Sequence, residues 1–277
     1  MRKRLIIDKL ALFIIILLSS ITILPLFVIL AYIIKQGIGI INWQFLTSLP
    51  KPVGESGGGI FNAILGTAII CLMAFFMAVP VGVGGGVYLS ERRGGRFVEL
   101  MRICIDILQG APSIMLGIIS YLWIVKPMGA FSALSGSVAL AIMMLPAVVC
   151  NTEESLKRVP YSLREAAFAL GIPYYKVILK VVIPSGLSGI ITGVLIGIGR
   201  IAGETAPLLF TAFGSPHINL NPLKPMASLP LLIFNYALSP YPEWIKQAWG
   251  ASVILCFMIF LLNLGSRIGT RRWKITL

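Results

Sequence analysis

Six apolar stretches, each long enough to cross a lipid bilayer, dominate this chain of 277 residues and leave few folds open to it. A membrane helix needs about 20 predominantly apolar residues, and its backbone must satisfy its own hydrogen bonds. Leu10 to Ile34 carries no charge and reads as the first span. Ser56 to Ser90 is also charge-free and holds the second, within Phe61 to Leu89. Ile103 to Val125 is the third, with Asp106 near its start, and Leu134 to Cys150 is the fourth. Leu187 to Ala212 is the fifth and carries Arg200 and Glu204; Gln247 to Ser266 is the sixth. The stretch Met226 to Leu238, bracketed by Pro225 and Pro240, is too short to span and predicts an interfacial or re-entrant helix. Arg2, Lys3 and Arg4 before the first apolar run imitate a signal peptide. That run is too long for one and no small-residue cleavage site follows, so an uncleaved helix is expected. The expected fold class is an all-α polytopic membrane protein with six transmembrane helices.

Composition agrees. The chain is 57% hydrophobic and 12% charged, with a mean hydropathy of +0.94. Soluble domains run at about 45–50% apolar and about 25% charged, so a soluble globule and a disordered chain are both excluded. The four cysteines, Cys71, Cys104, Cys150 and Cys256, form no C-x-x-C pair and lie in or beside apolar runs. They read as small hydrophobes rather than a disulfide framework. His217 is the only histidine, which removes the material for histidine metal sites and triads. No G-x-x-x-x-G-K-[ST] occurs, so the chain does not hold ATP in a phosphate-cradling loop. A membrane enzyme would need a nucleophile, a base and an orienting group, and no such set is visible.

The basic excess, 23 Lys and Arg against 10 Asp and Glu, is sorted rather than spread. With the N-terminus inside, the inner segments carry Arg2, Lys3, Arg4, Lys9, Arg92, Arg93, Arg96, Arg102, Lys157, Arg158, Arg164, Lys176, Lys180, Arg267, Arg271, Arg272 and Lys274. The outer segments carry only Lys35, Lys51, Lys126, Lys224 and Lys246. This is the positive-inside asymmetry, and it places both termini in the cytoplasm. It also explains the net charge of +13 without nucleic acid. Trp43, Trp123, Trp244, Trp249 and Trp273 fall near span ends as an aromatic belt. The triplet Gly84-Gly85-Gly86 marks a close helix contact, and Gly57-Gly58-Gly59 a loop edge.

The longest inner segment, Asn151 to Ser185, contains a short helix signal. Ser162 and Glu165 have capping-box spacing, and Leu163, Ala166, Ala167 and Leu170 share one apolar face. Gly171 follows as a C-cap and Pro173 as a stop. A face of small residues can seat in a groove of another protein or pack on its own loop, and the local pattern leaves both open.

Glu165-Ala166-Ala167, Gly171, Val181, Ile183 and Pro184 resemble the EAA loop, E-A-A-x3-G-x9-I-x-L-P, of type I ABC importer permeases, with Val181 and Ile183 in place of the usual Ile and Leu. Three segments are similar to phosphate-uptake permeases: Gly58 to Thr67, Val159 to Ala167, and Arg200 to Ala212. The last, with its GETAPLL run, resembles the PstA-type rather than the PstC-type subunit. The resemblance covers about Gly58 to the C-terminus. It implies a core transmembrane domain over residues 58–277, preceded by a membrane helix and outer loop over residues 1–57. It further implies a multi-pass protein of the bacterial plasma membrane, with Glu165, Ala166, Ala167 and Gly171 coupling to a cytoplasmic ATPase. A PstC-like second permease, a pair of ATPase subunits holding ATP and Mg, and an external phosphate-binding protein would complete the machine. No cofactor is expected on this chain itself.

Arg200 and Glu204 are four residues apart and are expected to share a helix face and pair. A charge near the bilayer centre costs about 2.5–3.5 kcal/mol on insertion scales, so both should look into the bundle or a wet path. Arg200 suits an oxyanion path, because its planar guanidinium stays charged and forks its donors. Glu204 would moderate the attraction so that the anion can leave. A purely structural salt bridge is the competing reading. Two functional alternatives stand beside phosphate import: a permease for sulfate or molybdate, and a secondary transporter using the same two charges.

Overall fold

The computed structural model describes the backbone of residues 2–55, 57–92 and 94–271, and the side chains of residues 9–55, 57–92 and 94–265. Arg2, Lys3, Arg4, Arg93, Arg267, Arg271, Arg272, Lys274 and Trp273, which entered the charge and belt expectations, have side chains outside that set. Every named element among the described residues is a helix, and a lone bridge joins Phe213 to Met226. α1 is Arg2–Gly37 and α2 is Trp43–Thr47, the latter capped by Asn42 Oδ1 accepting from the Phe45 amide at 2.7 Å. α3 is Phe61–Glu91, α4 is Arg96–Gly110 and α5 is Ser113–Met128. α6 is Ala133–Lys157, α7 is Tyr161–Ala169 and α8 is Tyr174–Ala202. α9 is Ala206–Leu209, α10 is Leu229–Ala237 and α11 is Pro242–Arg271.

Five helices are long and apolar enough to span, and the pair α4 and α5 makes a sixth span if counted together. That pair departs from the straight third span expected over Ile103 to Val125: α4 and α5 meet at 108°. Pro112 is the cause. It has no N–H to donate and drives the preceding residue out of the helical region, and Ala111 sits at ψ 131°. α4 turns Val98 inward and leaves Phe97, Leu100, Ile103 and Ile107 exposed, with Glu99, Arg102 and Asp106 also exposed.

The fourth and fifth spans are also corrected at the ends that flank α7. α6 continues past Cys150 to Lys157, and α8 begins at Tyr174 instead of Leu187. An apolar run measures the hydrocarbon thickness, whereas a helix can continue into water on charged residues such as Glu153, Lys157, Lys176 and Lys180. The loop expected over Asn151–Ser185 therefore shrinks to residues 158–173, most of it occupied by α7. The short helix expected within Met226 to Leu238 is present as α10.

α6 is the central post: 67% of its most apolar window is buried, against 0% for α1. Small residues let its neighbours approach closely, which is how membrane helices associate without a hydrophobic drive. On α3, Gly82 faces Val148 and Gly86 faces Thr152 and the Val149 carbonyl, so part of the expected glycine contact falls on α6. On α8, Gly186, Gly189, Gly193 and Gly197 face Leu156, Ser155, Asn151 and Met144 of α6 in turn. Gly199 instead faces Asn263 and Ile259 of α11. Ile70, Ala74, Ala78, Leu140, Met144, Val148 and Ile201 make the main core.

Candidate coupling and translocation site

The EAA segment forms a hairpin at one end of the bundle. α7 begins at Tyr161, with Pro160 at the cap position and no side-chain capping bond. The expected capping box is thus absent: the preset φ of Pro160 starts the helix ahead of Ser162, which lies inside the first turn. The C-terminus behaves as expected. Gly171 adopts φ +71°, its N–H donates to the Phe168 carbonyl at 2.9 Å, and the Ile172 N–H donates to the Ala167 carbonyl at 3.3 Å. This doubly bonded left-handed turn satisfies the last carbonyls of the helix.

The apolar face of α7 divides between two surroundings. Ala167 is buried in a cluster with Leu156, Val177, Ile178, Val182 and Ile190, so its methyl packs on this chain. Leu163 is half-buried, whereas Glu165, Ala166 and Leu170 are exposed, Leu170 at 80%. The side of α7 left open to another protein therefore carries Glu165, Ala166 and Leu170, with Ala167 beneath as the seat.

Three polar groups hold this hairpin to the bundle. Arg164 Nη1 donates to Glu91 Oε1 at 2.5 Å, Arg164 Nη2 to the Leu156 carbonyl at 3.4 Å, and Tyr174 Oη to Glu91 Oε2 at 2.8 Å. A second cluster lies near the C-terminal end of α6, where the buried Glu153 carboxylate accepts from Arg102 of α4 and Lys157. Sequence reasoning counted Arg102, Lys157 and Arg164 only as topology signals. The available hint was that Glu91 and Glu153 are two of just 10 acidic residues and flank span ends.

Arg200 and Glu204 are placed differently from expectation. α8 ends at Ala202, Gly203 caps it, and Glu204 lies in the non-helical break before α9. The reason is Pro207: its ring would collide with the carbonyl of Gly203 if the helix continued. The fifth span therefore stops short of Ala212, and the two charges share no helix face. No Arg200–Glu204 ion pair occurs among the described residues. Arg200 is exposed and Glu204 is half-buried. Ser188, Thr192, Ile196 and Arg200 follow at four-residue steps along α8, and the last three are exposed. Thr192 bonds back to the Ser188 carbonyl at 2.7 Å. Beyond the break, Pro207 packs against Gly117 of α5, and Leu208, Thr211 and Ala212 against Gly136 of α6.

A cleft of about 690 Å³ lies at the opposite end from α7, between Asn62, Ser215, His217, Ser228 and Trp244, and includes neither charge. No group of three or more His, Cys, Asp or Glu able to hold a metal occurs among the described residues.

Residues 78–272 match the family of binding-protein-dependent transport system inner membrane components, and the chain belongs to that family. It is a multi-pass membrane protein of that inner-membrane class. Among individual relatives, it is 42% identical over 245 residues to the phosphate transport system permease protein PstA of Xylella fastidiosa, covering 88% of this chain and 85% of that one. The PstA of Yersinia pestis is 40% identical over 236 residues, 85% of this chain and 80% of its own. The probable PstA of Methanocaldococcus jannaschii is 39% identical over 259 residues, 93% and 91%. In fold, the chain is similar to the inward-facing MetNI methionine ABC transporter, with a TM-score of 0.67 at 18% identity, covering 78% of this chain and 96% of that one. An amino acid ABC transporter follows at a TM-score of 0.58 and 15% identity, covering 77% and 92%.

Proposed function

We propose that this chain is the transmembrane permease subunit of an ATP-driven inorganic phosphate importer and forms half of its translocation path. The observation that carries the reading is 42% identity to a phosphate permease over 88% of the chain. The membership of a binding-protein-dependent family supports three kinds of partner: a second, PstC-like permease, a pair of cytoplasmic ATPases, and an external phosphate-binding protein. ATP and Mg belong to the ATPases, and this chain contributes no catalysis.

The orientation follows from charge. Arg92, Arg102, Lys157, Arg158, Arg164 and Lys176 gather at the α7 end, and Lys51, Lys126, Lys224 and Lys246 at the other. The positive-inside rule then puts α7 and both termini in the cytoplasm. α7 presents Glu165, Ala166 and Leu170 to the ATPase, while Ala167 and Gly171 set its seat and its end.

Arg200 stands 26 residues after the start of α8, roughly 40 Å along the axis and close to the outer mouth. So close to a helix end an arginine can reach the polar interface. In this reading its exposed surface is turned toward the partner permease or the water of the path. There the guanidinium attracts an oxyanion, and Glu204, in the next turn of chain, limits how tightly it is held. Movement of the ATPases on ATP binding shifts the pair of permeases between outward and inward access.

The test is reconstitution of the four-part complex in liposomes. ATP-dependent phosphate uptake, resistant to excess sulfate and molybdate, is expected. Preferential sulfate uptake would assign another oxyanion, and uptake driven by an ion gradient without ATP would assign a secondary transporter.

A further inference from the structure

The Arg164–Glu91 bond joins more of the bundle than a surface ion pair does. Glu91 closes α3, Leu156 lies in the last turn of α6, Arg164 belongs to α7 and Tyr174 opens α8. Both side chains of the ion pair are only 12% exposed. Each carboxylate oxygen of Glu91 has its own donor, and Arg164 uses a second nitrogen on the Leu156 carbonyl. Phe168 and Tyr174 stack beside it, with ring centroids 6.2 Å apart and planes 3° from parallel. Four segments therefore meet at one knot whose ion pair is largely buried while its two rings stay exposed.

Enclosed ion pairs add little net stability compared with apolar residues of similar size, so stability is a poor reason for this one. Its geometry does something apolar packing does not. Apart from the Ala167 methyl, which packs on Leu156 of α6 and on α8, α7 is attached to the spans through the non-helical residues 158–160 and 170–173. One methyl on apolar neighbours has no directional hold, so a push on the exposed face of α7 bends those segments before it moves α3. The forked bond bypasses them and ends directly on α3. From there the glycine contacts at Gly82 and Gly86 lead into α6, the central post.

We infer that Arg164 and Glu91 form a strut that transmits displacement of α7 to α3, and that they are positioning residues for coupling. The inference rests on the reading of α7 as the ATPase-docking helix. Arg164 does not touch substrate and need not touch the ATPase. Its role is to make α7 and the inner end of α3 move as one body.

The experiment uses the reconstituted complex and two readouts: phosphate transported per ATP hydrolysed, and cross-linking of Leu170→Cys to the ATPase. In the apolar pair Glu91→Leu plus Arg164→Met, no charge is stranded. Assembly, cross-linking and ATP hydrolysis are expected to persist, while phosphate per ATP falls by about tenfold, within the range seen for changes along a coupled element. Arg164→Lys keeps the charge and hence the assembly, but loses the fork; a smaller fall in the same ratio is expected. Should the apolar pair assemble poorly, Arg164→Lys alone decides. A wild-type ratio in the assembled variants overturns the strut while leaving α7 docking intact. Absence of the Leu170→Cys cross-link in the otherwise unchanged complex overturns the docking reading, and the strut with it.

Discussion

Two glycines six residues apart on α8 test the packing that sets the bundle. Gly193 lies against α6, and a methyl built on it would stand 2.8 Å from Asn151 Cγ and closer still to its Cβ. Carbon atoms in contact prefer about 3.5–4.0 Å, so α8 and α6 would have to part by roughly 1 Å. Asn151 does not swing aside freely, because its Nδ2 donates to the Ala147 carbonyl at 2.7 Å. At Gly199 the same methyl would meet Asn263 Nδ2 at 3.5 Å and Ile259 Cγ2 at 3.8 Å, which is ordinary contact. Both substitutions to alanine gain the same helix propensity, about 1 kcal/mol, so that contribution cancels between them. What remains is overpacking at one site, typically about 1–3 kcal/mol. For a chain of this size that corresponds to roughly 2–12 °C in the unfolding midpoint. Thermal unfolding of the detergent-solubilised complex, followed by size-exclusion chromatography, should place Gly193→Ala below Gly199→Ala by that margin. Equal midpoints would refute the claim that α8 is held to α6 through its glycines.

Other expectations concern charge, turn and topology. Arg200→Gln should leave membrane levels unchanged, since no ion pair of Arg200 is broken, yet lower phosphate uptake by about tenfold or more, the usual weight of a charged hydrogen bond; wild-type uptake would remove Arg200 from the path. Gly171→Val meets open space but is forced to φ +71°, a strain of about 1–2 kcal/mol. The spans should still insert while ATPase co-purification and uptake fall, and Gly171→Asn should be milder; equal behaviour of the two variants would discount the left-handed turn. In a cysteine-free background, Lys176→Cys should accept a membrane-impermeant thiol reagent only from the cytoplasmic side and Lys51→Cys only from outside. Labelling of Lys176→Cys from outside would invert the topology.

Hydropathy made the all-α membrane class, five long apolar spans and the short helix α10 legible before any coordinates, because lipid imposes one simple rule along the chain: stay apolar for the width of the bilayer. The EAA spacing marked α7, and Gly171 was readable as a left-handed cap, since that signal is local. Tertiary structure decided the rest. A hydropathy run cannot register that Pro112 bends the third span by 108° or that Pro207 stops α8 before Glu204. Those are backbone events that an averaged hydropathy passes over. Nor does four-residue spacing make a pair once the helix has ended, which is why Arg200 and Glu204 stand apart. Ala167 was visible as part of a small apolar face, but whether that face turned inward depended on where α6 and α8 ended. Glu91 and Arg164, 73 positions apart in the chain, carry no mutual signal in one sequence. Their meeting is set by α3 ending beside the start of α7, and long-range contacts of that kind exist only once the bundle has closed.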